Sequence, residues 1–190
     1  MMQHAPLFIV LLPVSAALLC MLFSRMQKNL GSWIVIGSIA AAFMSAVTVL
    51  QQVIADGGKP IHYWMGNWQP PLGIEFVIDP ISGVLAVLIT FISLLGSIYS
   101  LPFVKEEGWL HIGGYYTLYG LMTVGMCGMV ITGDVFNLYV FLEVMSLSGY
   151  GLIALGGKKS MLAAFRYLLI GTIGASLYLL GVGYMYALTG

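Results

Sequence analysis

Long apolar runs alternate with short polar segments along the whole chain. Six of these runs are long enough to cross a bilayer, because a membrane-spanning helix needs about 20 mostly apolar residues. They cover residues 5–24, 31–54, 80–101, 113–132, 134–155 and 163–189. The pattern therefore predicts an all-α, polytopic membrane protein of about six transmembrane helices, arranged as a single transmembrane domain over residues 1–190.

Residues 55–79 interrupt the helical pattern and predict an extramembrane loop. Tyr63, Trp64 and Trp68 are typical of a membrane–water interface. The segment around Gly66-Asn67, followed by an extended piece at 74–79, favours a short hairpin. Prolines limit regular pairing within it. The residues that break helices in this loop are Gly57, Gly58, Pro60, Pro70, Pro71 and Gly73.

The distribution of positive charge predicts the orientation, because cytoplasmic loops carry an excess of Lys and Arg. Lys59 is the single positive residue of the loop 55–79. The other six lie in or beside the loops after the first, third and fifth helices: Arg25, Lys28, Lys105, Lys158, Lys159 and Arg166. We therefore expect a multi-pass protein of the cell inner (plasma) membrane. Its N-terminus, its loop 55–79 and its C-terminus lie outside.

Composition excludes several classes of function. With 60% hydrophobic and 7% charged residues, the chain has too few polar groups to cover a soluble globule. Its net charge of zero provides no basic face for nucleic acid. Cys20 and Cys127 lie in apolar runs and are expected to pack as small hydrophobic side chains. No motif for a cofactor, a metal or enzyme catalysis occurs, and His62, Glu75 and Asp79 have no spacing that defines a metal site.

One carboxylate lies within the fifth apolar run, DVFNLYVFLEVMSLSGYGLIAL. Glu143 follows Asp134 by nine residues. At about 1.5 Å per residue it is roughly 13 Å into a hydrocarbon layer about 30 Å thick. A charge at that depth costs about 2.5–3.5 kcal/mol on insertion scales. The helix would insert into the membrane without this charge, so the charge indicates a function. We predict that Glu143 transfers protons, which a carboxyl group in low-dielectric surroundings can gain and lose.

Several polar side chains are expected near this glutamate. Tyr139 and Ser146 lie at helical spacing from Glu143, and Asn137 and Tyr150 lie further along the same helix. These four residues are candidates for a polar path. Arg166 of the sixth helix is a further candidate, with snorkelling to the cytoplasmic surface as its simpler role.

Two aspartates are expected to cap helices. Asp79 precedes Pro80, which suits the first turn of a helix, and Asp134 follows Gly133 at the start of the fifth apolar run. Aspartate is among the preferred N-cap residues. Capping is therefore the simplest role for both side chains.

The stretch from residue 132 to 190, TGDVFNLYVFLEVMSLSGYGLIALGGKKSMLAAFRYLLIGTIGASLYLLGVGYMYALTG, resembles a family of antiporter-like membrane subunits. The family is shared by Mrp-type cation/proton antiporters (D-type subunits), respiratory complex I (N-, M- and L-type subunits) and membrane-bound hydrogenases. The loop sequence WQPPLGIEFVIDPISG resembles it as well. The resemblance is specific from about residue 64 onward and implies the N-terminal six-helix portion of the fold.

The resemblance also implies a site. It maps Glu143 onto the fifth-helix glutamate of the family, which forms a proton-transfer couple with a lysine on a later, interrupted helix. Family members have more than twice as many helices, so the later lysines lie outside these residues. We therefore expect other integral membrane subunits, including a chain or segment that supplies the lysine, as partners, together with protons, Na⁺ or K⁺ and the lipid bilayer.

Three functions are consistent with these observations. The first is a proton-translocating, antiporter-like subunit (cation/proton antiport) of a multisubunit membrane complex, with Glu143 as the proton carrier. The second is a membrane-arm subunit of a complex I-like NADH/quinone oxidoreductase or membrane-bound hydrogenase, whose redox chemistry belongs to other subunits. The third is a structural assembly module without transport. None of them requires a cofactor in this chain.

Overall fold

Helices dominate the computed structural model, which describes residues 4–27, 29–68, 73–104 and 109–189. In this part of the chain, the helices are α1 (Ala5–Met26), α2 (Leu30–Ala55), α3 (Pro80–Tyr99), the short α4 (Leu101–Val104), α5 (Trp109–Ile131), α6 (Val135–Ala154) and α7 (Lys158–Thr189). All except α4 are long and apolar enough to cross a membrane. The predicted all-α fold with about six membrane helices is therefore confirmed.

The starts of two helices differ from the prediction by more than two residues. α7 begins at Lys158 instead of residue 163, so the connection before it is shorter than expected. Gly157 has a φ of 102°, a left-handed value that glycine adopts without strain, and it turns the chain into α7. α5 begins at Trp109 instead of residue 113. Lysine is a good helix former, so Lys158 and Lys159 belong to α7 and not to the loop before it.

A hairpin follows α2. Strand β1 (Ile61–Trp64) pairs antiparallel with β2 (Glu75–Ile78), with Ile61 opposite Ile78 and Trp64 opposite Glu75. Gly66 and Asn67 have positive φ values of 64° and 63° and form a tight turn directly after β1. Pro70 and Pro71, which were expected to limit the pairing, lie outside the described residues.

Strand β2 attaches the hairpin to the corner between α5 and α6. The backbone N–H of Gly133 donates to the carbonyl oxygen of Glu75 at 2.9 Å. Phe76, 1% exposed, forms a bridge with Thr132 and packs into a core shared by α1, α2, α3 and α5. Its ring also contacts Phe141 of α6, with centroids 6.3 Å apart. The hairpin therefore fixes the point from which α6 starts.

α5 lies centrally and contacts α1, α2, α3 and α6, whereas α7 packs mainly against α6. Glycines bring α5 and α6 close together: a Cβ at Gly125 would lie 2.6 Å from the backbone nitrogen of Met145, and one at Gly128 would overlap the ring of Phe141. α7 is the least buried of the six long helices. The seam between α6 and α7 is therefore at the edge of the described bundle.

Candidate functional site

Hydrogen bonds close the corner where α6 begins. The Asp134 carboxylate (Oδ1) accepts from the backbone N–H of Asn137 at 2.6 Å, so Asp134 is the N-cap of α6. The side-chain amide of Asn137, a residue that is 5% exposed, donates to the Thr132 hydroxyl at 2.9 Å. These bonds satisfy polar groups that the helix start leaves unpaired. The position of α6 along its axis is therefore fixed at this end.

Glu143 lies near the middle of α6, eight residues after its first residue in a helix of 20. At about 1.5 Å per residue, it is roughly 12 Å from the helix start. Its side chain is half-buried. In the described part of the chain, no hydrogen bond or ion pair reaches its carboxylate. A carboxylate at this depth without a protein partner is free to bind a proton, water or a cationic group.

The face of α6 that carries Glu143 points away from α5. Phe141 and Met145 are the side chains that meet the glycines of α5. Glu143 lies two residues from each, which is a rotation of about 200° at 3.6 residues per turn. Its carboxylate is therefore on the side of α6 opposite α5, next to α7.

Three of the predicted polar-path residues share that side of α6. Tyr139 and Ser146 lie within one turn of Glu143, and Tyr150 lies two turns further on. The ring of Tyr139 stacks on Tyr178 of α7, with centroids 6.2 Å apart and planes at 8°. The structure therefore places these side chains along the seam between α6 and α7.

Tyr150 anchors the opposite end of the seam. It is 7% exposed, and its ring meets Tyr167 edge-on at 4.8 Å. Gly171 provides the space for its hydroxyl, since a Cβ there would overlap that oxygen. A cavity of about 320 Å³ adjoins Ser146 and Tyr167 and is otherwise lined mainly by Met122, Met126 and Met145. Met122 and Met126 belong to α5, so this cavity lies where α5, α6 and α7 meet, and Glu143 is not among the residues that line it.

The two other predicted path residues do not join this group. Asn137 lies six residues before Glu143, about 120° away around the helix, and its amide belongs to the α5–α6 corner. Arg166 is exposed on α7 and has no hydrogen bond or ion pair in the described residues. It was expected three residues into its helix. Because α7 begins earlier, Arg166 lies eight residues after Lys158.

Two tyrosines of α7 were missed by the sequence reasoning. The Tyr178 hydroxyl donates to the carbonyl oxygen of Val135 at 3.1 Å, and the Tyr186 hydroxyl donates to the Asp134 carboxylate (Oδ2) at 3.4 Å. The sequence does contain a signal. It concerns Tyr178, which lies 11 residues, about three turns, after Tyr167, so both tyrosines face the same side of a helix.

A second polar cluster lies in the hairpin. The Glu75 carboxylate accepts from the Trp64 indole N–H at 2.9 Å and lies 2.7 Å from Nδ1 of His62. The Tyr63 hydroxyl and Nδ1 of His4 are 2.9 Å apart, which links β1 to the start of α1. No group of three or more His, Cys, Asp or Glu side chains arranged for a metal occurs in the residues that the structure describes. The cluster therefore holds the hairpin together.

Asp79 lies at the N-cap of α3. Its carboxylate accepts from the backbone N–H of Ser82 at 2.7 Å, and the Ser82 hydroxyl accepts from the backbone N–H of Asp79 at 2.8 Å. These reciprocal bonds form a capping box. The Ser82 N–H, donating to the charged form, holds the pKa of Asp79 below its usual range.

Known proteins match this chain over its whole length. Residues 132–190 match a protein-family model described as "NADH:quinone oxidoreductase/Mrp antiporter, TM". NADH-quinone oxidoreductase subunit N of Desulforudis audaxviator is 43% identical over 100% of this chain. The D-type subunit of the Na(+)/H(+) antiporter of Alkalihalophilus pseudofirmus is 29% identical, also over 100% of it. The chain spans 38% of the length of each relative.

A solved structure shares the fold. A chain of the membrane-bound sulfane sulfur reductase, an archaeal respiratory membrane complex, superimposes with a TM-score of 0.90 at 31% identity. The match covers 99% of this chain and 38% of that chain. The arrangement of helices described above is therefore found within a longer membrane subunit of a respiratory complex.

Proposed function

Because the chain belongs to the antiporter-like family of membrane subunits that Mrp-type antiporters and NADH:quinone oxidoreductases share, we propose that it is the N-terminal part of a proton-translocating subunit. This subunit works within a multisubunit membrane complex, where proton movement is exchanged for Na⁺ or K⁺. The proposal concerns ion transport, with no bond chemistry in this chain.

One observation carries the proposal: the half-buried Glu143 carboxylate in the middle of α6 has no partner in the described part of the chain. A structural role as a hydrogen-bonding anchor would require a partner among the neighbouring helices. A proton carrier instead requires a carboxylate without a permanent partner, since it must exchange its proton with water and with other side chains.

The mechanism requires a cationic partner from outside these residues. A lysine ammonium brought near Glu143 favours the carboxylate, so the glutamate releases its proton. When the lysine becomes neutral or moves away, its attraction for the carboxylate is lost, and the glutamate takes up a proton. Each cycle moves one proton and leaves both groups unchanged. Another integral membrane subunit, or another segment of a longer subunit, supplies this lysine.

Hydroxyl groups next to Glu143 complete the polar path. Tyr139, Ser146 and Tyr150 lie along the same side of α6, and a hydroxyl group both donates and accepts hydrogen bonds. Water between these groups carries the proton over the remaining gaps. Arg166 and Asn137 take no direct part in this path.

Substitution of Glu143 tests the proposal. Glu143→Gln keeps the shape of the side chain and removes its titrating group, so we expect the rate of proton-coupled transport to fall about 10²-fold or more. The assay measures the pH inside inverted membrane vesicles that contain the complete complex. Asp56→Asn is the control, because Asp56 is exposed at the end of α2 and its carboxylate has no hydrogen bond or ion pair in the described residues, and it should retain transport.

Two other outcomes decide against the proposal. Unchanged transport in Glu143→Gln rules out the glutamate as proton carrier. If that variant only reduces the amount of assembled complex, with a normal rate per complex, the chain is a structural assembly module.

A membrane-arm subunit of a redox-driven pump is the second candidate function. The higher identity to an oxidoreductase subunit, 43% against 29% for the antiporter subunit, favours it. Purification of the native complex distinguishes the two. Co-purifying subunits with flavin or iron–sulfur absorbance indicate the oxidoreductase, and a set of small membrane subunits without such absorbance indicates the antiporter.

A further inference from the structure

We propose that Asp134, Tyr186 and Tyr178 connect Glu143 to the membrane surface at the α5–α6 corner and supply it with protons. This inference rests on the proposed function of Glu143. It assigns a role to two residues of α7 and changes the role of Asp134, whose cap geometry leaves it free for a second task.

Asp134 uses its two carboxylate oxygens differently. Oδ1 accepts from the backbone N–H of Asn137 at 2.6 Å, whereas Oδ2 faces the Tyr186 hydroxyl at 3.4 Å. Capping therefore occupies one oxygen only. Asp134 is half-buried at the start of α6, so its second oxygen can exchange a proton with water at the surface and with Tyr186.

The tyrosines continue from Asp134 towards Glu143 along the α6–α7 seam. The Tyr178 hydroxyl lies 3.1 Å from the carbonyl oxygen of Val135, in the first turn of α6. Its ring stacks on Tyr139, which lies one turn before Glu143 on the same side of the helix. The order along the seam is Asp134, Tyr186, Tyr178, Tyr139 and Glu143. These residues span the roughly 13 Å between Asp134 and the glutamate.

Space for water adjoins the start of this series. A cavity of about 90 Å³ lies between α6 and α7, lined by Val135, Val182, Met185 and Tyr186. Its volume exceeds that needed for a water molecule, and the tyrosine gives it a polar edge. Water there bridges hydroxyl groups that are too far apart for a direct hydrogen bond.

The proton balance is simple. A proton from bulk water binds Asp134, and Asp134 passes it to the oxygen of Tyr186, which releases its own hydroxyl proton to the next acceptor. Tyr178 and Tyr139 repeat this exchange until the Glu143 carboxylate takes up one proton. Every hydroxyl group regains its proton, so no charge remains on a tyrosine.

Removal of single hydroxyl groups tests the series. Tyr178→Phe and Tyr186→Phe keep the rings and their packing, and each should lower the initial rate of proton uptake by about tenfold, because water replaces a positioned donor only in part. Tyr184→Phe is the matched control. Tyr184 lies on the same helix, is 65% exposed, and forms no hydrogen bond in the described residues. It should transport at the normal rate.

A structural role for the tyrosines gives a different result. If the hydroxyl groups only hold α7 against α6, the two variants lower the melting temperature or the amount of complex, and the rate per assembled complex stays normal. A role in proton transfer instead makes that step slower, so the ratio of rates in H₂O and D₂O increases. Asp134→Asn provides a second check. Asparagine keeps the capping oxygen but does not titrate, so this variant should also slow proton uptake.

All variants are measured in vesicles that contain the complete complex, alongside Glu143→Gln. Normal rates and isotope ratios in both tyrosine variants and in Asp134→Asn, with loss of transport in Glu143→Gln, overturn this inference and leave the proposed function standing. Normal transport in Glu143→Gln overturns both.

Discussion

Hydrogen bonds distinguish three carboxylates of this chain. Two of them cap helices, and the third has no partner in the described residues. Asp79 and Asp134 accept hydrogen bonds from backbone N–H groups at the starts of α3 and α6. The bond from Ser82 holds the pKa of Asp79 below its usual range. Glu143 has no such donor in the described residues and lies where a permanent charge is costly. Within this part of the chain, Glu143 therefore lacks the donor that holds each aspartate at its helix start, which agrees with the proposed role in proton transfer.

The cap at Asp79 gives a prediction for stability. Asp79→Ala should lower the free energy of unfolding by about 0.5–2 kcal/mol at neutral pH, since α3 loses its N-cap. Because the pKa of folded Asp79 lies below its ordinary value of 3.8, the stabilisation is present above that value. It is lost as the pH falls through the folded-state pKa. Thermal melting of detergent-solubilised protein between roughly pH 3 and pH 7 measures this dependence.

Asp79→Asn is the control for that titration. Asparagine keeps a capping oxygen and does not titrate, so this variant should lack the part of the acid dependence that Asp79 causes. The same melting curves for the wild type and Asp79→Asn at every pH would contradict the assignment.

At the scale of helices, close approach depends on where each glycine points. On α2, Ala42 and Ala46 are fully buried, whereas an added Cβ at Gly37 has no atom of the described residues within 4 Å. On α7, Gly171 faces Tyr150, whereas Gly174 faces open space. Small residues at helical spacing therefore occur both in contacts and away from them. Only the contacts show at which glycine an added side chain would disturb the packing.

The pairing of α5 and α6 gives a prediction at this scale. Gly125→Ala should destabilise the protein by about 1–3 kcal/mol, because its Cβ meets the backbone of Met145 at 2.6 Å and backbone atoms cannot move aside easily. Gly114→Ala is the matched control on α5, because its added Cβ has no atom of the described residues within 4 Å. It should be neutral or slightly stabilising, since alanine is the better helix former. Thermal melting in detergent compares them, and equal melting temperatures would contradict the close approach of α5 and α6.

At the scale of the whole molecule, the positive residues divide between the two ends of the bundle. Arg25 lies in the last turn of α1, and Lys158 and Lys159 lie in the first turn of α7. Lys59 follows α2, at the opposite end of the neighbouring antiparallel helix. Lys28 and Lys105, which also entered the prediction, lie outside the described residues. This division supports the proposed orientation, with the hairpin outside the cell.

Labelling of single cysteines tests that orientation. A membrane-impermeant maleimide added to intact cells should label Lys59→Cys and leave Lys158→Cys unlabelled, with the reverse result in inverted vesicles. Cys20 and Cys127 are 0% exposed and should not react, and the chain without either substitution is the control for this background labelling. Labelling of both positions from the same side would contradict the antiparallel arrangement, and the reverse pattern would invert the proposed topology.

The sequence alone was sufficient for features set by a few neighbouring residues or by total apolar length. An apolar run of about 20 residues crosses a bilayer whatever surrounds it, and Asp79 and Asp134 lie directly before the helices that they cap. The carboxylate of Glu143 within such a run was equally visible. Charged segments were less informative, because Lys158 and Lys159 fit a helix as well as a loop.

The tertiary structure decided which faces meet. A membrane helix is apolar on all sides, so its hydrophobic pattern does not show which side contacts another helix. The side of α6 that faces α7, the hydroxyl groups of Tyr178 and Tyr186 at the start of α6, and the attachment of β2 to Gly133 all join residues far apart in sequence. The sequence by itself determined the helices and their one mid-membrane carboxylate. Packing alone decided that the side of α6 carrying this carboxylate meets α7, where Tyr139 stacks on Tyr178.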